Sequence, residues 1–255
     1  MSLSGGMDST SLLMRMLADG SEITCLTYLY GQKHSVEIDR AKDNIEYLRK
    51  NGISVDHIVV NLSSAMSSLY SAITSDQIIV PEGHYESEQM KKTVVPNRNA
   101  IFASILYSHA LSISSSENKD VLIALGVHSG DHEIYPDCRP EFYEILEKAL
   151  SIGNWGSERI SFHLPYLHGN KETILEDALD SVESLGLDFD KVFANTITSY
   201  NPDKMGRSSG RSGADIERIL AFHSIGRADP IQYVDGWEET LQNALIIQNE
   251  HEVSK

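Results

Sequence analysis

The residues most suited to chemistry stand at the start of the chain: Ser4-Gly5-Gly6-Met7-Asp8-Ser9-Thr10. Paired glycines let a backbone turn close against a ligand. Ser9 and Thr10 open a helix, whose unpaired N–H groups and dipole favour an anion. The hydroxyls of Ser4, Ser9 and Thr10 add donors, and Asp8 offers an oxygen for a counter-ion. This is a cradle for phosphate or pyrophosphate. It has neither the G-x-x-x-x-G-K spacing ending in Ser or Thr nor the G-x-G-x-x-G spacing of other phosphate loops. Only residues 1–3 precede it, fewer than the roughly five of an ordinary strand.

Further polar clusters follow at intervals. Tyr30-Gly31-Gln32-Lys33-His34 with Glu37, Val95-Pro96-Asn97-Arg98-Asn99 and Tyr135-Pro136-Asp137-Cys138-Arg139-Pro140-Glu141-Phe142 each flank a predicted element. Arg98 has the planar fork that suits phosphate or carboxylate. His34 and Glu37, three apart on a helix, have no third metal ligand nearby and suit a surface or capping role. Cys138 reads as a small packing residue.

The pattern of apolar residues supplies the elements that must hold these groups. Helices are expected over 9–18, 36–50, 98–112, 139–152, 171–185 and 243–255, and strands over 23–30, 57–62, 121–126 and 160–164. Helix 98–112 is rich in small and apolar residues and is expected to be well buried. Residues 73–95 and 199–215 read as long irregular stretches. Strands alternating with helices imply a parallel sheet flanked by helices, which binds ligands at the carboxyl ends of its strands. The segments after Leu3, after Leu29 and after Gly126 fall at such ends.

Composition narrows the function. A chain of 255 residues with 41% hydrophobic residues can bury an α/β core. A net charge of −16 disfavours a long polyanion as partner. Two cysteines, Cys25 and Cys138, do not make a disulfide framework, so a cytoplasmic setting is the simpler reading. No apolar run reaches membrane length.

The turn resembles the S-G-G-x-D-S motif of the ATP-pyrophosphatase (PP-loop) superfamily. With the three later clusters, Thr196 to Pro202, Ala221-Phe222, Gly226 and Asp229-Pro230, the chain resembles the 7-cyano-7-deazaguanine synthase (QueC) family from end to end. The resemblance implies a Rossmann-like PP-loop (HUP-type) α/β fold, with a nucleotide-binding domain over 1–195 and a C-terminal segment over 196–255 packed on it. It implies ATP and Mg²⁺ as cofactors. The substrate would be 7-carboxy-7-deazaguanine, whose carboxylate is adenylated and passed to ammonia to give an amide or nitrile.

Roles follow as expectations. Ser4, Gly5, Gly6, Asp8, Ser9 and Thr10 cradle the pyrophosphate, and the backbone near Tyr28 to Tyr30 faces adenine. Arg98, Asn99, Asp137 and Arg139 meet the substrate. Asp8, Arg98 and Lys171 serve catalysis, Lys171 by neutralising phosphate. The family's four zinc cysteines are replaced by Ser199, Ser209, Ser212 and Asp215, a poor donor set for zinc. No zinc is therefore expected, and the loop must be held by hydrogen bonds, by a partner, or left mobile. Two further readings remain open: an acceptor amine on a protein or other macromolecule, as QueC-like relatives in antiviral defence suggest, and a non-catalytic nucleotide-binding subunit. A homodimer is common in the family.

Overall fold

The computed structural model describes residues 1–255 except 33–35, 76–77, 129–134, 200–201 and 255. Lys33, His34, Tyr200 and Asn201 therefore lie outside the described residues. Strand β1 (Thr24–Leu29) pairs in parallel with β2 (Asp56–Asn61), Thr24 opposite Asp56 and Leu29 opposite Asn61. Strand β3 (Val121–Ala124) pairs in parallel with β4 (Ile160–His163), Val121 opposite Ile160.

Residues 1–3 join the two pairs. Leu26 donates its N–H to the carbonyl of Met1 at 2.9 Å, and Leu3 donates back to the Leu26 carbonyl at 2.9 Å. On the other side Ser2 donates to the Ala124 carbonyl at 3.2 Å. The spatial order is therefore β2, β1, residues 1–3, β3, β4. Three residues suffice to hydrogen-bond both neighbours, and Leu3 is fully buried. The order reverses at this central segment, so the crevice above it is the topological switch point where such sheets bind ligands.

Helices cover both faces. Helix α1 (Met7–Ala18) lies against α6 (Lys171–Ser184) and α7 (Phe189–Ala194), burying Leu12, Leu13, Ile174, Leu175 and Phe193. Between them in the chain, α2 (Val36–Lys50) adds Ala41 and Leu48 to this core, and the single turn α3 (Ser63–Met66) follows β2. On the opposite face α4 (Arg98–Glu117) and α5 (Pro140–Ile152) enclose Leu106, Tyr107, Ile123, Tyr143 and Ile160. The α4 expectation needs correction. It buries one side only, Ala103, Leu106, Tyr107, Ala110 and Ser114. Ser108 and Ser112 are exposed, and their hydroxyls donate to carbonyls one turn back.

The end of the chain holds more helix than its pattern suggests. Helix α8 (Gly213–Ser224) starts inside the stretch read as irregular, and α9 (Trp237–Ser254) starts earlier than residue 243. Helix α8 packs on α6 and α9. Its Arg218 is fully buried and bidentate to Asp229, with N–O distances of 2.6 and 2.9 Å. The same guanidinium donates to the Phe193 carbonyl at 3.4 Å, tying the segment to α7. Among the described residues no helix is long and apolar enough to cross a membrane.

Candidate active site

A cleft of about 260 Å³ opens above residues 1–3, at the switch point. The turn over residues 4–9 forms its floor. Gly5 has φ +85°, and a Cβ there would stand 2.0 Å from the Glu37 carbonyl oxygen, so only glycine fits between the turn and α2. Gly126, just past β3, packs on the other side: a Cβ would be 2.9 Å from the Asp8 carbonyl oxygen. The hydroxyls of Ser4 and Ser9 lie 2.9 Å apart, and Ser9 Oγ accepts from Ser4 N at 3.1 Å. No side chain caps α1 at Gly6. Its first-turn N–H groups are thus kept for an anion.

Ser4, Gly6, Asp8 and Ser9 line the cleft, as do Tyr30, Arg98, Asn99 and Lys171. Gly5 and Thr10 support the turn from behind; Thr10 is fully buried and outside the lining. The run from 135 to 139 divides differently from the expectation. Tyr135 and Cys138 line the cleft, whereas Asp137 and the exposed Arg139 fall outside the lining.

At one end charges gather. Lys171 is the first residue of α6 and 6% exposed. Its ammonium donates to Asp8 Oδ2 at 2.8 Å, and to His128 Nε2 at 3.1 Å, and lies 3.3 Å from Glu217 Oε2. A solvated helix lysine is thereby excluded. Burial works to raise the Asp8 carboxyl, but the Lys171 ammonium and its hydrogen bond outweigh it and hold Asp8 below the usual carboxylate range. Asp8 Oδ1 is buried with no hydrogen-bond partner among the described residues. A hard carboxylate oxygen left unpaired beside an anion cradle fits Mg²⁺.

The other end is aromatic. Tyr28 stacks on Phe102 with ring centroids 4.0 Å apart, and Tyr30 meets Phe102 edge-on. Leu125, Val127 and Tyr143 complete a wall for a flat ring. The backbone at the end of β1 is already engaged: Gln32 Oε1 accepts from Tyr30 N at 2.8 Å, and Gln32 Nε2 donates to the Tyr28 carbonyl at 3.2 Å. Glu37 also lines the cleft, correcting its reading as a surface or capping residue. Burial pushes its carboxyl up to about 7, against the pull of Arg98. Burial also raises the Tyr30 hydroxyl to about 12.

The family model for Queuosine biosynthesis protein QueC matches residues 1–226. The chain belongs to this family. It is 40% identical over 230 residues to the 7-cyano-7-deazaguanine synthase of Marinomonas sp. (strain MWYL1), covering 90% of this chain and 95% of that one. The same-named protein of Psychromonas ingrahamii is 40% identical over 234 residues, 91% and 96% of the two chains. That of Caldicellulosiruptor saccharolyticus is 39% identical over 231 residues, 91% and 93%.

In this QueC-family chain three of the four replaced cysteine positions converge on the carboxylate at the fourth. Asp215 is fully buried at the start of α8. Its Oδ2 accepts from Ser199 Oγ at 3.0 Å, Ser209 Oγ at 3.0 Å, Ser212 Oγ at 2.8 Å and Ser212 N at 3.2 Å. Ser208 Oγ donates to Oδ1. Ser212 and Asp215 also form the capping box of α8. Hydrogen bonds thus hold the loop, with the carboxylate at the centre of the hydroxyls. The same helix start supplies Gly213, Ala214 and Glu217 to the cleft.

Sequence reasoning missed His128 and Glu217. His128 had a signal, since it lies just beyond Gly126 at the carboxyl end of β3. Glu217 had none, because only tertiary packing brings α8 to Lys171.

Proposed function

We propose that this chain is an ATP-dependent carbon–nitrogen ligase that adenylates the carboxylate of 7-carboxy-7-deazaguanine and transfers it to ammonia, giving the 7-amido or 7-cyano base. The observation that carries this reading is the two-ended cleft. A serine–glycine turn and a buried Lys171–Asp8–Glu217–His128 cluster stand at one end, and a stacked aromatic wall at the other. The names of the relatives agree with it.

A carboxylate resists ammonia because its leaving group would be oxide. In the proposed step a carboxylate oxygen attacks the α-phosphorus of ATP and pyrophosphate leaves. Ammonia then adds to the acyl carbon, a proton is lost, and AMP departs with the bonding pair. For the nitrile, the amide oxygen attacks the α-phosphorus of a second ATP and pyrophosphate leaves; nitrogen then loses two protons as AMP departs with the carbon–oxygen bonding pair. Ser4, Gly6, Ser9 and the α1 N-terminus hold the departing pyrophosphate. Lys171 screens it, and Asp8 would hold Mg²⁺, which would supply charge neutralisation. Tyr28, Phe102 and Tyr30 flank a base. Arg98 and Asn99 stand at the first turn of α4, where a carboxylate would be read. The reading takes the 199–215 loop as zinc-free, Asp215 occupying the hydroxyls that a metal site would need.

The test is mass spectrometry after incubating the protein with ATP, Mg²⁺, 7-carboxy-7-deazaguanine and ammonium. AMP together with the amide or nitrile base is expected. AMP without a new base would overturn ammonia as acceptor, and neither product from a folded sample would overturn the ligase reading.

A further inference from the structure

A second cluster, away from the cleft's charged end, joins the C-terminal helix to the loop before α4. His84, Glu86 and His251 each present a ligand atom within 4.8 Å of the others. His251 Nε2 lies 2.9 Å from Glu86 Oε2. The two imidazoles stack with centroids 3.7 Å apart and planes at 8°. His84 is buried, and its Nε2 meets Gln248 Oε1 at 2.9 Å. Glu86 N donates to His84 Nδ1 at 3.2 Å, so Nε2 carries the proton given to Gln248.

We propose that His84, Glu86 and His251 form a binding site for a divalent transition-metal ion of the zinc class. Two imidazoles and one carboxylate are the donor set that such ions take with three protein ligands and a water. Donors about 2.1 Å from a tetrahedral ion stand about 3.4 Å apart. The cluster is within reach of that spacing, and His251 and Glu86 already lie slightly inside it. Binding requires two changes: His251 swings out of the parallel stack, since two stacked rings cannot both aim an in-plane nitrogen at one ion, and His84 Nδ1 gives up its bond from Glu86 N. The bond from Nε2 to Gln248 then becomes the outer contact that fixes a ligating ring.

The position gives the ion a role. Residue 251 lies beyond residue 226, where the family match ends. The loop carrying His84 also carries Tyr85, which stacks on His84 and lines the cleft. Gly83 N donates to the Arg211 carbonyl at 3.0 Å, and Glu82 bridges Ser212. An ion here would pin α9 and this loop to the start of α8, the segment whose four cysteine positions hold no cysteine.

The experiment uses the full chain, tag removed and stripped with a chelator. Zn²⁺ is titrated by calorimetry and Co²⁺ by visible absorption, which is intense for tetrahedral sites. One equivalent is expected, with a rise in melting temperature. His251→Ala and Glu86→Gln, each checked for folding by circular dichroism, should weaken binding by about 100-fold or more, beyond the range of losing an outer-shell contact. No saturable binding to the parent chain, or binding unchanged in both folded variants, would overturn the site and leave a histidine–carboxylate contact only.

Discussion

Replacing Asp215 by alanine removes the acceptor shared by Ser199, Ser208, Ser209 and Ser212. Each hydrogen bond to a carboxylate is worth roughly 1.5–3 kcal/mol in isolation. Five such bonds do not simply add, because freed hydroxyls can pair with one another or with water that enters the gap. The capping box is lost as well, at about 1 kcal/mol. A net destabilisation of about 4 kcal/mol follows, in the range that marks a broken buried network. In a chain of this size each kcal/mol moves the midpoint by about 2–4 °C, so Asp215→Ala should melt about 8–16 °C lower. Asp215→Asn keeps one oxygen and should fall about midway. Ser209→Ala, which loses one partly exposed hydroxyl, should drop only a few degrees, at about 1 kcal/mol. Melting followed by circular dichroism gives the order. ATP affinity measured alongside should weaken for Asp215→Ala, because Gly213, Ala214 and Glu217 reach the cleft from the same helix start. An Asp215→Ala chain that melts within about 2 °C of the parent would refute the network as the loop's support.

Other expectations follow from the cleft and the buried pairs. Lys171→Met leaves Asp8 and Glu217 facing each other without their cation and should lower kcat/KM for ATP by about 10²–10³-fold, read by AMP release. Gly5→Ala drives a Cβ into the Glu37 carbonyl and should abolish ATP binding in calorimetry, whether or not the chain still folds. Glu37 has a folded-state value raised to about 7 from 4.5. Its contribution to stability is therefore full below pH 4.5 and lost as pH rises through 7. Glu37→Gln should flatten the corresponding part of the stability–pH curve from urea unfolding, while the parent loses stability across that window. Arg218→Met strands Asp229 in the interior and should cost about 3–5 kcal/mol by urea unfolding.

Much of the fold was legible because its signals are local. Gly52 ends α2, Gly126 closes β3, and alternation of apolar strands with amphipathic helices fixes the layers. The phosphate turn was legible for the same reason, since glycines and hydroxyls at that spacing act within seven residues. What was missed depends on distance. Helix α8 lay hidden in a stretch rich in serine and glycine, although Ser212-Gly213-Ala214-Asp215 carries a capping-box pattern that marks its start. The burial of α4 was overread because small residues suit an exposed face as well as a core. Glu37 reaches the cleft only because Gly5 lets the turn close against α2. The short first segment seemed inadequate as a strand, yet a central position asks only for hydrogen bonds on both sides.

The carboxylate at the heart of the 199–215 loop differs from a zinc ion in where it comes from. An ion must be acquired after synthesis and can be taken away, and thiolates that hold it are open to peroxide. Asp215 and its serines are made with the chain and have no oxidation chemistry of this kind. The two cysteines, Cys25 and Cys138, are both buried. Under the proposed zinc-free reading, the bonds to Asp215 form with the chain itself and involve no thiolate.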